Sequence, residues 1–82
     1  MVAKAQLVMC ALNTWRDGER LLEALSPASP DRERVVDAVA AARGAYHALT
    51  RPSPHTPDEL AEARAEIADV REVLETVRAR NT

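Results

Sequence analysis

All five prolines of this 82-residue chain fall in two short stretches, residues 26–30 (Ser-Pro-Ala-Ser-Pro) and residues 50–57 (Thr-Arg-Pro-Ser-Pro-His-Thr-Pro). Proline fixes φ and has no N–H, so it ends a helix or opens one at its first turn. The two stretches cut the chain into three proline-free segments, each carrying apolar residues at three- and four-residue spacing. This pattern predicts helices at about 3–25, 30–50 and 57–80. Short connections make sequential helices antiparallel, so the expected fold is all-α, an up-down-up three-helix bundle in one domain spanning 1–82. The competing architecture is a helical hairpin or extended helix completed by a second chain.

The third segment has the most regular pattern. With Leu60 at heptad position a, the a positions are Leu60, Ile67 and Leu74, and the d positions are Ala63, Val70 and Val77. Position e is Arg64, Arg71 and Arg78, and two g positions are Glu59 and Glu66. An apolar seam edged by opposite charges suits a helix that packs along its length on another helix. Thr56 followed by Pro57 and Glu59 forms an N-terminal capping box, and Arg78 and Arg80 suit the negative end of the helix dipole. In a parallel dimer Glu59 would face the partner's Arg64, and Glu66 the partner's Arg71. Within one chain the same edges would simply be solvated.

The second segment opens with Ser29 as expected cap, Pro30 at N1 and Asp31 at N2. Its apolar series is Val35, Val39, Ala42, Tyr46 and Leu49, with a second stripe of Ala38, Ala41, Ala45 and Ala48 beside it. The alanines allow close approach of a neighbour, and they also have the highest helix propensity. Gly44 falls on the polar side without an evident reason. In the first segment Val8, Ala11, Trp15, Gly18, Leu22 and Leu25 keep heptad spacing, and Leu7, Leu12 and Leu21 widen the apolar surface. Gly18 on this seam is expected to receive a large side chain such as Trp15 or Tyr46 from a neighbour.

Composition narrows function by exclusion. The net charge is −2, and bases are interleaved with acids throughout, unlike the basic face of a nucleic-acid binder. No segment approaches the roughly 18–20 apolar residues of a membrane span. The N-terminal apolar run contains Gln6 and lacks the cleavage pattern of a signal peptide. Cys10 is the single cysteine, which fits a reducing cytosol and a half-buried small hydrophobe. Ten arginines stand against one lysine, Lys4, in an Ala-, Val-, Glu- and Pro-rich chain; this balance suggests a GC-rich bacterial genome. A chain of this size buries a modest fraction of its surface, which favours self-association.

Few residues could carry chemistry. Glu62, Glu66 and Asp69 form an acidic stripe with Glu59 alongside, suited to a hard cation or, more simply, to a solvated face. His55 lies in the proline-rich connection and is expected to be solvated. The stretch Tyr46-His47-Ala48-Leu49 resembles the phospho-accepting site of histidine phosphotransfer domains, which implies a phosphate acceptor at His47. Thr50 and Arg51 stand where that family has Lys and Gly, and Pro52 ends the helix where the family's continues. Residues 29–33 (Ser-Pro-Asp-Arg-Glu) resemble the loop entering the second helix of small helical chorismate mutases, which implies a dicarboxylate pocket using Arg16 and Arg20. That family's helix-borne lysine and late glutamine have no counterpart.

No catalytic residue, cofactor or metal site is therefore expected. The functional expectation is a small cytosolic bacterial interaction or regulatory module that packs helix-on-helix with itself, as a dimer, or with another helical protein, and binds neither nucleic acid nor membrane. Its candidate contact residues are Glu59, Arg64, Glu66, Arg71 and Arg78 with Ala38, Ala41, Ala45 and Ala48. The alternatives are a small helical enzyme or anion binder using Arg16, Arg20 or Arg43 at a subunit interface, and a subunit of a larger assembly.

Overall fold

A computed structural model describes residues 4–52 and 54–81. It contains α1 (Lys4–Ala24), α2 (Arg32–Leu49) and α3 (Pro57–Arg80). All three pairs of helices touch, and the α1–α2 contact is the most extensive. The result is the expected three-helix bundle, with Cα extents of 42 × 21 × 16 Å. The expected start of the first helix at residue 3 lies outside the described residues.

The α3 bounds match the sequence expectation because both ends carry strong local signals. Glu59 N–H donates to Thr56 Oγ1 at 3.1 Å and Thr56 N–H donates to Glu59 Oε1 at 3.3 Å, a complete capping box. The a/d seam turns inward: Ala63, Ile67, Val70, Leu74 and Val77 are buried, and Leu60 is half-buried.

The start of α2 departs from expectation by two residues. Ser29 does not cap the helix; its Oγ accepts from Asp31 N–H at 3.3 Å in a turn just before it. Asp31 is the N-cap residue, with αR backbone and no side-chain capping bond. Its carboxylate is committed elsewhere: Arg80 Nη1 donates to Asp31 Oδ1 at 2.7 Å, and the Asp31 side chain is only 10% exposed. This pair ties the end of α3 to the first connection. A second long-range tie, Arg32 Nη1 to Leu22 O at 3.3 Å, fixes the same connection to α1.

In α1 the buried series is Leu7, Ala11, Thr14, Gly18 and Leu21, and Leu25 just past its end continues it. This is also a heptad, sharing Ala11, Gly18 and Leu25 with the expected seam. Val8, Trp15 and Leu22 of the expected seam are half-buried instead. The helix presents two adjacent apolar stripes. Contact with α3 draws Thr14 and Leu21 under cover and leaves the other stripe at the outer margin of the α1–α2 contact. Cys10, expected half-buried, is exposed because it lies about 100° round the helix from Ala11.

The core falls into two clusters. One joins Leu21, Leu25, Val35, Ala38, Ala42, Val70, Leu74 and Val77; the other joins Leu7, Ala11, Ala45, Leu49, Ala63 and Ile67. Gly18 lies where three helices converge. A Cβ added there would stand 2.7 Å from Val39 Cγ2 and 3.7 Å from the Leu74 methyls. The neighbour received by Gly18 is therefore Val39, not the aromatic side chain expected. Val39 is β-branched and stiff within a helix, so it cannot readily rotate away.

The two glycines should respond oppositely to substitution. Gly18→Leu should destabilise by about 1–3 kcal/mol through overpacking. A Cβ at Gly44 meets nothing within 4 Å, so Gly44→Ala should stabilise by about 0.5–1 kcal/mol through helix propensity. Urea denaturation of the two variants checks both signs, and a tolerated Gly18→Leu would place that position at the surface.

Candidate functional site

The three outer faces of the bundle differ in chemistry, and each follows from which stripes the core consumes. Between α2 and α3 lies an open groove of about 390 Å³, floored by Ala38, Ala41, Val70 and Val73 and rimmed by Arg34, Asp37, Glu66 and Asp69. A smaller hollow of about 180 Å³ continues it past Ala45 and Ala48 toward Glu59, Glu62 and His55, with Glu66 common to both. Six of the nine residues singled out in the sequence thus lie along one groove: the four stripe alanines, Glu59 and Glu66. Ala38 and Ala45 are buried in the core, Ala41 is half-buried and Ala48 is exposed.

The arginine edge of α3 faces the other way. Arg71 and Arg78 line a small hollow of about 110 Å³ with Thr14 and Asp17 of α1. Arg64 shares their heptad edge and is exposed. None of the three enters an ion pair among the described residues, where the pairs are Arg20–Asp17 at 3.7 Å, Arg51–Glu59 at 3.4 Å and Arg80–Asp31 at 2.7 Å. The seam that Glu59 and Glu66 would have to share with a partner's arginines is filled by α1 and α2 of the same chain.

The third face, over α1 and α2, is the apolar one. It carries half-buried Val8, Leu12, Trp15 and Leu22 from α1 and Val39 and Tyr46 from α2, with exposed Val36 beside them. Both aromatic residues of the chain are here. Their ring centroids are 5.7 Å apart and tilted by 48°, and His47 lies 6.0 Å from Trp15 and 5.8 Å from Tyr46. Such ring pairs add about 0.5–1.5 kcal/mol beyond area burial and hold the side chains in fixed positions. The sequence reading did not include this face among the contact residues. Its signal was the surplus width of the first helix's apolar surface, with Leu7, Leu12 and Leu21 beside the expected seam.

His47 is exposed at the edge of this ring cluster. His55, expected to be solvated, instead folds over the end of α2: its Nε2 lies 2.6 Å from Ala48 O, and its Nδ1 is buried without a hydrogen-bond partner. The ring supplies a donor to a helix-terminal carbonyl that has no partner within α2.

The arginines of the alternative reading do not gather. Arg16 and Arg43 are exposed on α1 and α2, whereas Arg20 opens onto a separate hollow of about 360 Å³ with Arg78 and Asn81. Among the described residues no group of three or more His, Cys, Asp or Glu side chains is placed to hold a metal ion, the acidic stripe of α3 included. No described helix is long and apolar enough to cross a membrane. Comparison with protein-family models, curated proteins and solved structures finds no match to this chain.

Among the described residues, the carboxyl of Glu59 is held away from its ordinary pKa. The Thr56 N–H hydrogen bond, helped by the Thr56 hydroxyl, His55 and Arg51, holds its pKa below the ordinary 4.5. A carboxyl with a lowered folded pKa stabilises the fold above its ordinary value, and loses that contribution as pH falls through the lowered one. Unfolding free energy should therefore decline as pH drops below about 4.5. Glu59→Gln should flatten that part of the profile, and Thr56→Ala should cost about 1 kcal/mol at neutral pH. Urea titrations between acid and neutral pH read both effects.

Proposed function

We propose that this chain is a helical interaction module, an adaptor or regulator that works by presenting its α1–α2 face to another helical surface. The observation that carries the reading is the set of six half-buried aliphatic and aromatic side chains on that face: all but Leu12 pack against the edges of the two core clusters, and all six remain partly open to solvent. Trp and Tyr are the residue types that concentrate binding energy at interfaces, and here they are braced against each other. Rigid anchors lose little conformational freedom on association.

The α2–α3 groove and the α3 arginine edge are secondary surfaces in this reading. The groove floor is alanine and valine, which offers little area, and its rim mixes three acids with Arg34. The Arg64, Arg71 and Arg78 edge suits orientation of a partner more than affinity, because exposed ion pairs contribute about 0.2–1 kcal/mol each. The arginine-rich, lysine-poor composition and the single Cys10 favour a bacterial cytosol as the setting. The separation of Arg16, Arg20 and Arg43 weighs against an arginine-lined ligand site.

A photo-crosslinking residue placed at Val36 tests the reading when the full chain is made in its native cells. A discrete adduct is expected from Val36 and none from Glu72, which is exposed on the far side of α3. The same adducts from both positions, or none from either, would overturn the assignment of function to this face.

A further inference from the structure

The α1–α2 face consists of two stripes with the same spacing and opposite charge. On α1 it runs Val8, Leu12, Trp15, Glu19, Leu22; on α2 it runs Arg32, Val36, Val39, Arg43, Tyr46. Each keeps the four-three-four-three spacing that holds a line of residues on one side of a helix. The α1 stripe has one acid and no base. The α2 stripe has two arginines and no acid. Arg16 lies about 60° further round α1 than Glu19, on the rim. Glu19 and Arg43 have no ion-pair partner among the described residues.

We propose that a second copy of this chain covers the face, related by a twofold axis that runs along the bundle between α1 and α2. This rests on the reading of the face as an interaction surface and names its occupant. Such an axis lays α1 of one copy, antiparallel, on α2 of the other, so that the acidic stripe meets the basic one twice. The orthogonal twofold would lay α1 on α1 and α2 on α2, antiparallel, setting the arginine-bearing stripe of one copy against the arginine-bearing stripe of the other.

The levels along the bundle agree. Gly18 packs against Val39 within a chain, and this operator preserves height. Counting from that contact at 1.5 Å per residue, Glu19 of one copy falls about 7.5 Å from the level of the partner's Arg43, and Glu23, on the rim about 40° beyond Glu19 and beside Arg16, falls about 3 Å from that of the partner's Arg32, whose Nη1 also donates to Leu22 O of its own chain. An arginine side chain spans the larger offset. Trp15, Leu22, Val39 and Tyr46 lie on the sides of the stripes nearest the axis and form the apolar centre. The 18 residues of α2 are about 27 Å long. A two-helix face about 20 Å wide then covers about 1,100 Å² in total, at the lower end of specific interfaces, so the dimer is a dissociable one.

Sedimentation equilibrium on the full chain from about 5 to 500 µM, a range set by the small interface area, provides the test. The mass should rise from 9.0 kDa toward twice that value. Glu19→Arg and Arg43→Glu should each weaken association at least about tenfold, because each sets like charges against each other at the contact, twice by symmetry. The double variant should return to within about threefold of the original. Val36→Ser, at a position 44% exposed in the single chain, should weaken association with an unchanged helical circular-dichroism spectrum, which separates loss of contact from loss of fold. A mass of 9.0 kDa throughout, or a double variant as weak as the two single changes combined, would overturn the dimer. A monomeric chain whose Val36 crosslinker still captures a larger protein would remove the second copy and leave the interaction reading standing. A monomeric chain with no Val36 adduct would remove both.

Discussion

The close approach of α1 to α2 at Gly18 governs the rest of the molecule. Without a Cβ at that position the backbone of α1 comes within reach of Val39 Cγ2, and Leu74 of α3 closes over the same point. This contact sets the rotation of α1. It puts Leu7, Thr14 and Leu21 toward α3 and leaves Val8, Leu12, Trp15 and Leu22 at the margin. The apolar face proposed to bind a partner is thus a consequence of how tightly two helices pack, and a bulkier residue at position 18 would redistribute both stripes.

Polar contacts complete what packing begins. The alanine-rich inner surface of α2 contributes few large side chains to the core: Val35 and Leu49 are its only large fully buried ones. Fixed ends help a core of this kind hold its register. The Thr56–Glu59 box, the Arg51–Glu59 pair and His55 on Ala48 O anchor the second connection. Arg80 on Asp31 and Arg32 on Leu22 O anchor the first. Most of these contacts are exposed and individually weak. Arg80 with Asp31 differs, because the carboxylate is nearly buried and would be left without a counterion by loss of the arginine.

The three faces illustrate why an apolar heptad does not by itself indicate association. The most regular heptad, Leu60 through Val77, is consumed inside the chain, and its charged flanks separate onto different faces of the bundle. The less regular first helix supplies the surplus apolar surface. Regularity reports how well a helix packs along its length; surplus reports what remains after the neighbours are satisfied.

The sequence by itself determined the three helices, their antiparallel order, the α3 cap and the inward seam of α3. Those features depend on backbone restrictions at proline, on side-chain capping and on helical periodicity, all of which act between residues close in the chain. It also placed Gly18 on a buried seam and His47 on an exposed one. Only the tertiary structure decided which of two adjacent stripes of α1 is buried, that Val39 is the side chain received by Gly18, that Asp31 is drawn to Arg80 and away from capping, and that His55 covers the end of α2. Each of these depends on a partner distant in sequence, or on competition between surfaces of similar hydrophobicity. Burial free energy scales with area and carries no direction along the chain, so two adjacent apolar stripes compete until the packing of α1 on α2 and α3 chooses between them.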